Sequence, residues 1–74
     1  MKQKRVLVTI KTEYITLGQF LKFTNLIDSG SKAKIYLATQ EVTVNNELES
    51  RRGRKLRPGD VVVTEEATYE IVSQ

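Results

Sequence analysis

Five of the seven side chains from Arg51 to Arg57 are cationic: Arg51, Arg52, Arg54, Lys55 and Arg57. The planar fork of arginine matches the oxygens of a phosphate, so such a run suits a phosphodiester backbone. The competing role is a salt-bridge network with Glu47, Glu49 and Asp60, in which Arg57, nearest Asp60, is the member most readily given to structure. Exposed ion pairs contribute only about 0–1 kcal/mol, so stability alone is a poor reason to cluster five charges. A second phosphate-binding feature lies upstream. Ser29-Gly30-Ser31 opens a helix, where free backbone N–H groups, two hydroxyls and the helix dipole favour an anion. Gly30 leaves room for close approach, and Lys32 and Lys34 add charge one turn in. Plain N-capping by Asp28 and Ser29 accounts for the same residues.

Catalysis finds little support. The chain has no His and no Cys, which removes the usual general bases, thiol nucleophiles and zinc ligands. Glu65 and Glu66 are neighbours in a turn, and there is no phosphate loop, dinucleotide fingerprint or carboxylate cluster at metal spacing. No enzymatic activity, cofactor, metal or small-molecule substrate is expected. The aromatic residues Tyr14, Phe20, Phe23, Tyr36 and Tyr69 form no stacking array in the sequence. Phe20 and Tyr36 fit a core, and Phe23 falls off the main helix face. Recognition through backbone and shape is therefore expected over base stacking.

The elements that must position these charges are short. Seventy-four residues make a single domain with a modest core. The net charge is +3, but it is unevenly placed: residues 1–37 hold seven basic and two acidic side chains, residues 38–74 five and seven. All five basic residues of the second half lie in the Arg51–Arg57 run, which makes polyanions the first partner class to consider. Residues 5–11 alternate with period two and predict a strand. Thr16 predicts a helix N-cap, with Leu17, Phe20, Leu21 and Thr24 on one face and Asn25 as the stop. The helix after Ser31 runs to about Thr39 with Ala33, Tyr36 and Leu37 inward and Ile35 outward. Strands follow at 41–44 and 47–50 around an Asn45-Asn46 turn. Leu56 is the one apolar anchor of the basic loop, Pro58-Gly59 turns the chain, and closing strands follow at 61–64 and 68–72. The expected class is α+β: two short helices packed on a small, mostly antiparallel sheet.

The stretch 15–63 resembles the S4 domain, a small RNA-binding module. The matching residues run in order through ITLGQFLKFTNLIDSGSKAK, VTVNNE and ESRRGRKLRPGDVV. The resemblance is closest to the compact stand-alone bacterial S4 proteins of the YaaA/YbcJ-like group. It implies an alpha-L RNA-binding motif whose surface comprises Ser29, Gly30, Lys32, Lys34, Asn45, Arg51, Arg52, Arg54 and Lys55, with Lys22 as a further candidate. The implied partner is structured RNA, ribosomal or transfer, in a ribosome-associated, non-catalytic role. Two positions depart from the family pattern: Gln40 stands where Gly commonly follows the second helix, and Asn46 where Asn-Gly is common in the hairpin. Both imply non-glycine residues at left-handed backbone positions.

Two other readings remain. The strand pattern also fits β-grasp sulfur carriers, which use a C-terminal Gly-Gly where this chain has Ser73-Gln74. A basic module for an acidic protein partner is the third. The apolar stretch 6–10 is too short for a signal-peptide core and nothing approaches the roughly 18 apolar residues of a membrane span. A cytoplasmic protein without membrane attachment is expected, with a monomer as the simplest state.

Overall fold

A computed structural model describes residues 4–74. Strand β1 (Lys4–Ile10) is followed by a two-residue strand β2 (Ile15–Thr16) and helix α1 (Leu17–Phe23). A 3-10 turn (Gly30–Lys32) leads into helix α2 (Ala33–Thr39). The hairpin β3 (Thr43–Val44) and β4 (Glu47–Leu48), then β5 (Lys55–Leu56), β6 (Val61–Val63) and β7 (Ala67–Ser73) complete the fold. One sheet has the order β1-β7-β6-β3-β4, and β2 pairs with β5 as a separate antiparallel ribbon.

The class is α+β as expected, but the main sheet is mixed. Its longest pairing, β1 with β7, is parallel and runs from Lys4↔Ala67 to Ile10↔Ser73. A parallel pair needs a crossover of a dozen or more residues, and here everything between the first and last strands supplies it. The alternation in β1 sorts as predicted, with Val8 and Ile10 buried and Arg5, Leu7 and Thr9 exposed. The remaining pairings, β7 with β6, β6 with β3 and β3 with β4, are antiparallel.

Helix α1 begins where Thr16 predicts. Gln19 N–H donates to Thr16 Oγ1 (3.2 Å) and Thr16 N–H donates to Gln19 Oε1 (2.9 Å), a reciprocal capping box. Leu17, Phe20 and Leu21 are fully buried, and Phe20 meets Tyr69 edge-on at 5.1 Å. Thr24 does not continue the apolar face: its hydroxyl donates to the Phe20 carbonyl (2.8 Å) at the helix end. Asn25 then takes φ 63°, the left-handed stop its side chain tolerates.

The hairpin turn also forms as read, with Asn45 and Asn46 at φ 52° and 72°. Gln40 differs. It is extended, φ −115° and ψ 141°, so the chain leaves α2 without a left-handed residue and no glycine is required there. The predicted strand 47–50 shortens to Glu47–Leu48. The ribbon of β2 and β5 was not foreseen, and it sets Ile15 opposite Leu56 and Thr16 opposite Lys55. Leu56 is fully buried, the anchor expected of it.

Gly18 is the tightest point between the layers. A Cβ there would lie 3.4 Å from both the Cβ and the carbonyl oxygen of Arg52 and 3.7 Å from Ala33 Cβ. Gly18→Ala should be close to neutral, because better helix propensity, up to about 1 kcal/mol, offsets the tight contact. Gly18→Val adds two methyls at the same point and should cost about 1–3 kcal/mol. That corresponds to a fall of roughly 4–20 °C in Tm. Thermal denaturation of the two variants checks the pair; equal Tm values would show that nothing presses on Gly18.

Candidate nucleic-acid interface

The basic loop is held by its own backbone. Leu17 N–H donates to the Arg54 carbonyl and Gly18 N–H to the Arg52 carbonyl, both at 2.8 Å. The first amides of α1 lack partners inside the helix, and here the loop supplies them. Two of its carbonyls face the helix, and most of its cationic side chains stay exposed. Arg51, Arg52, Lys55 and Arg57 are exposed, and Arg54 is half-buried. Arg51, Gly53, Arg54, Lys55 and Arg57 line a shallow cationic concavity of about 570 Å³.

One carboxylate balances part of this charge. Glu49, with its side chain only 8% exposed, accepts from Arg51 Nε at 3.0 Å and from Arg54 Nη1 at 3.2 Å. It also accepts from the Arg51 backbone N–H at 3.1 Å. The hydrogen bond from Arg51 is the main cause holding the Glu49 carboxyl down at about 2. Asp60 works differently: it accepts from the Arg57 backbone N–H (2.9 Å) and from Asn45 Nδ2 (3.1 Å). The Arg57 guanidinium instead lies over the Tyr14 ring, 5.6 Å from its centre, with Lys55 Nζ at 5.0 Å. Among the described residues no carboxylate pairs with Arg52, Lys55 or Arg57. The salt-bridge network thus accounts for two of the five cations, through Glu49 alone of the three acids considered.

The second half of the site is built differently from the sequence reading. Ser29 precedes the 3-10 turn in extended conformation, but its side chain makes no capping bond. Its Oγ lies 3.1 Å from Ser31 Oγ. Asp28 does not cap either. Its carboxylate pairs with Lys32 Nζ at 2.9 Å, and that hydrogen bond lowers the Asp28 pKa. The 3-10 turn places Lys32 itself at the N-cap of α2 in helical conformation, which leaves no position for a side-chain cap. Lys34 is exposed and forms no ion pair among the described residues. A Cβ on Gly18 would meet both Arg52 and Ala33, so the basic loop and the start of α2 approach α1 at the same residue.

A family model for the S4 domain matches residues 8–72. The chain belongs to the S4 domain family. A Bacillus subtilis (strain 168) protein named "Probable ribosome maturation protein RlbA" is 57% identical over 58 residues, which span 78% of this chain and 82% of that protein.

The remaining candidates occupy distinct places on this S4 domain. Asn45 is committed to the fold: its Oδ1 accepts from Val61 N–H (3.0 Å) while Nδ2 donates to Asp60, so its amide ties the hairpin turn to the turn at Gly59. Lys22 is exposed in the last turn of α1, where a cation complements the helix dipole. Sequence reasoning missed Tyr14, whose partners Lys55 and Arg57 are remote in sequence, and Gly18, whose crowding exists only once the layers meet. Among the described residues no group of acidic side chains is arranged to hold a metal, and no helix is long and apolar enough to cross a membrane.

Glu49 makes the loop acid-sensitive. Its pKa is depressed in the fold, so its contribution is present above the usual carboxylate value of 4.5 and is lost as pH falls towards about 2. A stability–pH curve should drop across that window, and Glu49→Gln should flatten that part of the drop. At neutral pH the same variant should lose about 0.5–1.5 kcal/mol, discounted because Arg51 is largely solvent-exposed. Urea denaturation of both proteins from pH 2 to 7 gives the comparison.

Proposed function

We propose that this S4 domain binds structured RNA through phosphates, without modifying it, and does so on ribosomal particles during their maturation. The observation that carries this is the docked basic loop. Its backbone is fixed on α1 while Arg52, Lys55 and Arg57 stay exposed without a carboxylate partner. A cation cluster held rigidly and left unneutralised costs folding energy through self-repulsion, and a polyanion removes that cost. Arg52 and Ala33, the first residue of α2, both approach α1 at Gly18, and the exposed Lys34 extends the positive field from there. Family membership supports RNA as the polyanion, and the name of the Bacillus subtilis relative supports the ribosome as its setting. The proposed contacts are Arg52, Lys55 and Arg51 from the loop, with the half-buried Arg54 beside them as the counter-charge of Glu49, and Lys34, Lys32, Ser29 and Gly30 from the 3-10 turn and the first residues of α2. Lys22 reinforces the field, and Asn45 holds the hairpin beside it.

If about five cations neutralise phosphates, log affinity for ribosomal RNA should fall with log salt at a slope of roughly −3.5 to −4.5. Arg52→Glu should weaken binding at least about tenfold, one charge-assisted hydrogen bond being worth about 1.5–3 kcal/mol, with Tm unchanged. Arg51→Glu should weaken binding and lower Tm together, because it also strips Glu49 of its main partner. Filter binding to ribosomal RNA fragments across a salt series, beside thermal melts, reads both. A flat salt dependence would overturn the proposal.

A further inference from the structure

We propose that the domain carries a nucleobase subsite beside the basic loop, walled by Tyr14 and Phe23, that takes one unstacked base of the bound RNA. This rests on the RNA-binding reading and adds to it a contact that a charge pattern alone does not provide. A concavity of about 490 Å³ is lined by Ile10, Thr12, Tyr14, Ile15, Gln19 and Phe23, among others. Its size falls in the about 300–1,000 Å³ range of small-ligand sites. Phe23 is 65% exposed, although the other large apolar side chains of α1 are completely buried. Tyr14 is 38% exposed in the link between β1 and β2.

The occupant follows from what adjoins the concavity. Lys55 Nζ and Arg57 Cζ lie 5.0 and 5.6 Å from the Tyr14 ring centre, so the wall of the apolar site is also the edge of the cationic surface. A ligand that satisfies both must join a flat apolar face to an anion across a short tether, which is the description of a nucleotide in a strand. Base–aromatic stacking is a common way for proteins to hold unpaired nucleotides. Gln19 adds a directional element. The capping box holds its Oε1 on the Thr16 N–H, so any hydrogen bond it gives into the concavity comes from the amide NH₂. The subsite therefore favours a base edge rich in acceptors, such as uracil or the O6/N7 edge of guanine.

The test compares a stem-loop RNA carrying a uridine loop with the same stem carrying an abasic loop. The wild type should bind the uridine loop about tenfold more tightly, in the range of one aromatic–base stack. Tyr14→Ala and Phe23→Ala should each erase most of that difference, while Tyr14→Phe keeps it. The chain has three Tyr and no Trp, so quenching of tyrosine emission by the uridine loop, lost in Tyr14→Phe, reports the contact directly. Phe23→Ala, at an exposed position, keeps the test valid if Tyr14→Ala disturbs the fold. Equal binding of the two stem-loops with a steep salt slope would overturn the subsite and leave the phosphate reading standing. Failure to bind either RNA more tightly than a charge-matched control protein would overturn both. Free uridine monophosphate displacing the stem-loop at equal concentration would mark a nucleotide pocket and overturn the strand assignment. A base preference surviving in both alanine variants would also overturn the subsite.

Discussion

Two hydrogen bonds hold the basic loop in place: Leu17 N–H to the Arg54 carbonyl and Gly18 N–H to the Arg52 carbonyl. They satisfy amides at the start of α1 that the helix cannot satisfy itself, and they do so with the partial negative charge that a helix N-terminus prefers. The loop gives the carbonyls of Arg52 and Arg54 to the helix and still leaves Arg51, Arg52, Lys55 and Arg57 exposed. It also removes α1 from competition for phosphate, because its positive end is already met by carbonyl oxygens. The ribbon of β2 and β5 continues the same attachment, with Leu56 buried as its apolar anchor and Lys55 opposite Thr16, the residue that caps the helix.

Five cations in seven positions repel one another, and the fold neutralises them only in part. Glu49 sits inside the loop and binds Arg51 and Arg54, leaving four net positive charges in the cluster. The two pairs are unequal in exposure: Arg51 is 77% exposed and Arg54 30%. Tyr14 takes the remaining crowding. Its ring face receives Lys55 and Arg57, a contact worth about 0.5–1 kcal/mol at exposed sites, and it leaves both charges available. Asp60, which could have neutralised Arg57, is spent on backbone and amide donors of the turns.

The parts of this architecture that could be read in the sequence are those set by local chemistry. Thr16 caps the helix that follows it, and Asn25, Asn45 and Asn46 accept left-handed backbone for reasons internal to asparagine. Leu56 stood out as an apolar residue in a charged run. What could not be read depends on partners far away in sequence. The parallel pairing of β1 with β7 joins the two ends of the fold, and the β2–β5 ribbon joins residue 15 to residue 56. Ser29 and Asp28 carry a genuine capping signal that loses to a 3-10 turn and to the Asp28–Lys32 ion pair. Gln40 shows the reverse: a position with an expected conformational demand turned out to have none. For the site, the choice of Glu49 over Glu47 and Asp60 as counter-ion had no sequence signal, since all three lie close to the run.

The Glu49 arrangement bears on how such a surface meets a polyanion. A free arginine side chain has rotamer entropy of about 2 kcal/mol to lose on binding, and one already held by a carboxylate has lost part of it. Arg51 is held but exposed, so a phosphate can replace Glu49 as its partner with little further ordering. Arg54 is held by the same carboxylate and half-enclosed, so it remains as the counter-charge when Arg51 turns away. Glu49 is then never left buried and unpaired, the state that makes breaking an enclosed ion pair costly. A single acid bridging two arginines of unequal exposure thus permits partner exchange where a one-to-one pair would resist it.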